Sequence, residues 1–63
     1  MIRIKGGIGK FRFGYDTETK MRWVVLNHDT KEIVAEVSNM AEAIVKAKHH
    51  DFIQKNPEVM EYL

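Results

Sequence analysis

Ile33-Val34-Ala35-Glu36-Val37-Ser38-Asn39-Met40-Ala41-Glu42-Ala43-Ile44, "IVAEVSNMAEAI", contains the change of period that decides the fold. Up to Val37 the residues alternate. Ile33, Ala35 and Val37 share one face of an extended chain, and Glu32, Val34 and Glu36 share the other. After Asn39 the spacing lengthens: Met40, Ala43, Ile44 and Ala47 recur along one stripe of a helix. Asn39 and Glu42 stand three residues apart, as a capping box requires. A strand over about 32–37 and a helix over about 40–54 are therefore expected. At 1.5 Å per residue such a helix spans ~20 Å or more, enough to cross a small sheet.

Toward the amino terminus, Ile2-Arg3-Ile4-Lys5 and Phe11-Arg12-Phe13-Gly14-Tyr15 also alternate apolar and polar positions. Met21-Arg22-Trp23-Val24-Val25-Leu26 is rich in β-branched and aromatic residues. These runs predict strands over about 2–5, 11–15 and 21–26. Asp16-Thr17-Glu18-Thr19-Lys20 and Asn27-His28-Asp29-Thr30 are turns by composition. Toward the carboxyl terminus, Asn56-Pro57 reads as a cap with proline in the first helical position. A short helix or turn over about 57–62 should follow, with Val59, Met60 and Leu63 as its apolar edge. The fold class expected is α+β: an antiparallel three- or four-stranded sheet, one main helix on one face, and a short terminal helix or turn.

The whole chain, 1–63, is read as one small domain, because 63 residues leave no room for a second. Cysteine is absent, which removes disulfides, thiolate zinc sites and thiol nucleophiles and fits a reducing cytoplasm. No apolar run approaches the ~18 residues of a membrane span, and "MIRIKGG" lacks the apolar core of a secretory signal. A soluble cytoplasmic protein with no membrane partner is expected. The net charge of +1 does not announce a polyanion partner by itself. The distribution is more informative, since residues 1–15 carry Arg3, Lys5, Lys10 and Arg12 with no acid.

"KGGIGK", Lys5 to Lys10, resembles the phosphate-cradling loop of nucleotide enzymes. Such loops follow the lysine with a Ser or Thr that binds magnesium, and they open a helix. Here Phe11 follows and a strand begins, so the glycines are read as a β-turn or bulge. His28, Asp29, His49, His50 and Asp51 could be offered as metal ligands, but adjacent His49 and His50 point about 100° apart on a helix. No credible pairing of nucleophile and base is found either. The chain is expected to be neither an enzyme nor a carrier of a metal, a cofactor or a small-molecule substrate.

The face opposite the helix is the surface of interest. If Phe11, Phe13, Met21, Trp23 and Val25 point inward, then Arg12 and Arg22 point outward, with Val24, Leu26 and Val34 beside them. Arg3 and Lys5 would extend the basic row and Lys10 would stand nearby. Arg3, Lys5, Lys10, Arg12 and Arg22 are the candidate nucleic-acid contacts. Val24, Leu26 and Val34 are the candidates for the alternative: a protein partner, such as a host protein met by a small phage-type inhibitor or adaptor, or a second copy in a homodimer.

From Gly9-Lys10-Phe11 through Arg22-Trp23-Val24-Val25-Leu26 to Met40-Ala41-Glu42-Ala43, the chain resembles two groups of small DNA-reading domains. These are the plant ethylene-response-factor domain and the amino-terminal arm-site domain of phage-type integrases. The resemblance implies a sheet set into the major groove, with Arg12 and Arg22 in reader positions, and hence a non-catalytic, DNA-binding regulatory module.

Overall fold

A computed structural model describes residues 1–62, with side chains described through Val59. The side chain of Met60 and the whole of Leu63, part of the expected terminal apolar edge, lie outside the described residues. The order is β1 (Ile2–Ile8), β2 (Phe11–Asp16), β3 (Trp23–Asn27), β4 (Ile33–Val37), α1 (Met40–Lys55) and a short 3-10 turn, Pro57–Tyr62. The strands form one sheet in the order β1-β2-β3-β4, and every neighbouring pair is antiparallel. The α+β class and the fourth strand are thus present. Among the described residues no helix is long and apolar enough to cross a membrane.

α1 begins where the capping box puts it. The Asn39 side chain accepts from the Glu42 N–H at 2.9 Å, and its amide reaches back to the Glu42 carboxylate at 3.3 Å. One face of the sheet packs on this helix. Phe11, Phe13, Val25 and Val37 meet Ala43 and Ala47, with Ile8, Trp23, Val34, Ala35 and Ile44 closing the cluster. Each large apolar side chain enclosed here contributes about 1.5–3 kcal/mol. The two alanines let the helix approach closely, while Val45 and Phe52 face outward from it.

Two boundaries and one strand register differ from expectation, each for a structural reason. β1 continues through Gly6, Gly7 and Ile8, because a bulge at Lys5 resets its register: Ile4 pairs with Gly14, and Gly6 pairs with Phe13. Gly9 and Lys10 alone form the turn, with Gly9 at a φ of +59° that suits the first position of a two-residue hairpin. β3 starts at Trp23, and Met21 is an exposed loop residue with a φ of +54°. Its period-2 match to Trp23 and Val25 is coincidental, since hydrogen bonds that link Asp16 and Tyr15 to residues 20–22 turn the chain before the strand begins. Finally, β4 carries Val34 as an extra residue opposite the Val25–Leu26 step, which turns Val34 to pack against the core.

The helix-free face is not flat. A side chain on Gly14 would run into the backbone of Arg3 and Ile4, so β1 bends over that face beside Val24. Val24 is 0% exposed and Leu26 7%, although no helix covers them. β3 is therefore buried on both faces.

Candidate nucleic-acid interface

Asp16 closes β2 and builds the corner that follows it. Its residue is 4% exposed, and a carboxylate this buried needs partners. Oδ1 accepts from the N–H groups of Glu18 and Thr19 at 3.0 and 3.1 Å, and Oδ2 accepts from that of Lys20 at 3.2 Å. The Glu18 N–H, followed by that of Thr19, holds the carboxyl below its ordinary range against the opposing effect of burial. Asp16 also donates its own N–H to the Arg22 carbonyl at 2.9 Å.

Between Lys20 and Arg22, Met21 adopts a left-handed backbone that costs an L-residue about 1–2 kcal/mol. The Tyr15 hydroxyl donates to the Met21 carbonyl at 3.0 Å and helps to hold it there. Tyr15 is in turn braced edge-on against Trp23, with ring centroids 5.8 Å apart. With the corner so held, both flanking cations reach one acid on β4. Lys20 Nζ is 3.2 Å from Glu36 Oε2, and Arg22 Nη1 is 3.8 Å from Glu36 Oε1.

Arg12 lies on the same face toward the other end of the sheet, paired in register with Leu26 on one side and Gly7 on the other. Its Nη1 donates to the carbonyls of Gly9 and Phe11 at 2.8 and 3.1 Å, which folds the side chain along the hairpin. Leu26 and Arg22 are four positions apart, so the two arginines are separated by about 13 Å along the strand direction.

The other basic candidates do not join them in one row. Lys10 sits in the hairpin turn, 3.7 Å from Asp29. Beside it is a cavity of about 320 Å³ lined by Gly9, Lys10, Asp51, Gln54 and Lys55, in which Lys55 pairs with Asp51 at 3.2 Å. Lys5 is the exposed bulge residue of the β1 edge. Arg3 shares the row of Tyr15 and Trp23, which belongs to the helix side of the sheet. The bulge is the cause, because it breaks the alternation that would align Arg3 and Lys5 with Arg12.

The apolar candidates are also redistributed. Val24 and Leu26 are enclosed and Val34 packs toward the core, whereas Ile4 and Ile33 of the same sheet face remain 50% and 40% exposed. Ile4 adjoins Gly14 and Val24 in one cross-strand row, and Ile33 adjoins Leu26 in the next. Lys20 is the functional candidate that sequence reasoning missed. The Asp four residues before it, in a segment of turn composition, was the signal available.

Elsewhere, His50 lies against Phe11 with ring centroids 5.6 Å apart, and burial, then His49 and Lys46, push its pKa down. Among the described residues no group of three His, Cys, Asp or Glu side chains is arranged to hold a metal ion. The chain matches no known family model, no curated protein and no solved structure at significance.

Proposed function

We propose that this chain is a non-catalytic regulatory module of the cytoplasm that binds nucleic acid through the helix-free face of its sheet. One observation carries the reading: Lys20 and Arg22 stand together on that face around Glu36, and Arg12 lies farther along the same face. Lys5 and Lys10 add positive charge at the rim, and Arg3 adds it around the β1 edge. Phosphate contacts supply the affinity, since each neutralised phosphate releases condensed counterions from the polyanion. The Arg12 side chain is held along the hairpin by two carbonyls, so less of its freedom is lost on binding, while the Asp16 corner fixes the backbone from which Arg22 departs.

The exposure of Ile4 and Ile33 on the same face favours a second reading, in which that face docks a protein or a second copy of the chain. A salt series on a random-sequence duplex, run beside a mass measurement in solution, separates the two. Under the first reading the chain binds duplex at low salt. Replacing Arg12 and Arg22 with Ala then weakens binding and flattens the slope of log K against log salt by about 0.9 per lost contact. No binding at low salt, with a dimeric mass, would move the assignment to the second reading.

A further inference from the structure

Two cations stand on a fixed frame at the corner between β2 and β3, and one acid closes that corner. Lys20 is tied through its backbone N–H to the Asp16 carboxylate at 3.2 Å. Arg22 is tied through its carbonyl to the Asp16 N–H at 2.9 Å, and Met21 between them is held in a left-handed conformation by Tyr15. These bonds fix where the two side chains leave the backbone, yet the side chains themselves stay 44% and 55% exposed. The left-handed backbone of Met21 is thus fixed by its surroundings, which sets the direction in which Lys20 and Arg22 leave the chain.

Glu36 reaches this pair from β4 and divides its oxygens, Oε2 to Lys20 and Oε1 to Arg22. The two non-bridging oxygens of a phosphodiester present the same geometry, a pair of acceptors sharing one negative charge. Ion pairs this exposed to water are weakly held, so an incoming anion can exchange for the carboxylate. We infer that Lys20 and Arg22 form a phosphodiester site whose built-in competitor is Glu36, so that Glu36 sets how tightly nucleic acid is held at this corner. The inference rests on the reading of the helix-free face above. It adds Lys20 as a contact and an acid whose removal strengthens binding.

The test measures fluorescence anisotropy of a labelled random-sequence duplex across a salt series, with the full chain, Glu36→Gln, and Glu36→Gln carrying Lys20→Ala and Arg22→Ala. Glu36→Gln should bind several-fold more tightly at low salt, with a slope steeper by about 0.9 for each phosphate gained. The triple variant should lose that gain. A thermal melt of each protein confirms that it is folded. Duplex binding that is unchanged in folded Glu36→Gln overturns the role of Glu36 while leaving the nucleic-acid reading in place. Absence of binding by both the unmodified chain and Glu36→Gln overturns that reading and this inference together. If inorganic phosphate at millimolar concentration displaces the duplex from Glu36→Gln but not from the triple variant, the site recognises phosphate chemistry as proposed. If displacement is equal in both, the Lys20–Arg22 assignment is overturned.

Discussion

The Asp51 side chain of α1 occupies the space that a side chain on Gly9 of the hairpin turn would need. This contact brings the carboxyl-terminal half of the helix onto the tip of the β1–β2 hairpin, and Gly9 meets it at a φ of +59°. Gly9→Ala therefore pays twice, in backbone conformation and in steric overlap with Asp51. The expected loss of stability is about 1–3 kcal/mol, read from urea denaturation. A variant as stable as the parent would show that the helix end and the hairpin do not hold each other.

Stability should fall in two steps on acidification. The folded-state pKa of His50 is pushed below its ordinary 6.5, so the unfolded chain binds the proton first. This contribution is complete above about pH 6.5 and is lost as pH falls through that value toward the folded pKa. Asp16 is held below its ordinary 3.8, so a second loss sets in as pH falls below that value. Melting temperature followed against pH should lose its first step in His50→Gln and have a weakened second step in Asp16→Asn. Asp16→Asn should also melt several degrees lower at pH 7, since Asn brings no charge to the loop N–H groups.

At Met21 the left-handed backbone predicts an unusual order of tolerance. Met21→Gly should fold with a stability within about 1 kcal/mol of the parent, because relief of strain offsets the added freedom of the unfolded chain. Met21→Val should lose about 1–3 kcal/mol, since a β-branched residue resists positive φ most strongly. Equal stability of the two variants in thermal melts would contradict the corner geometry.

Gly14 makes a separate demand on β1. Because the Arg3 and Ile4 backbone fills the place of its missing side chain, Gly14→Ala must push β1 away from the helix-free face. A loss of about 1–3 kcal/mol is expected, with faster amide hydrogen exchange in β1 than in β3. Uniform exchange rates would mean that β1 does not bend over Val24.

Much of the architecture was legible along the chain. The capping pair Asn39 and Glu42 and the stripe through Ala43 and Ala47 are local signals that the observed helix follows, whereas the alternation over Ile33 to Val37 located the strand but not its faces, since the bulge at Val34 moves Ile33 to the helix-free side. A turn or bulge among the glycines between the first two strands was legible too, but its placement over Gly9-Lys10 was not, because Gly6 to Ile8 continue β1. The site was less legible. Arg12 and Arg22 share the helix-free face as alternation required, but Arg3 does not share their row, because one extra residue at Lys5 inverts the faces before it. Periodicity cannot register a bulge until the partner strand is known.

The sequence by itself determined the order of elements, the helix start and the inward set of Phe11, Phe13 and Val25, because each follows from interactions among residues close in the chain. Only the tertiary structure decided the rest. It enclosed Val24 and Leu26 on a face that no helix covers, turned Val34 into the core, and left Ile4 and Ile33 exposed. It also joined Lys20 and Arg22 to Glu36, residues that are adjacent only because β3 and β4 pair in one register. Burial and charge pairing depend on which strands are neighbours, and the two bulges, with β1 bending across Gly14, set those neighbours through long-range contacts that no local pattern encodes.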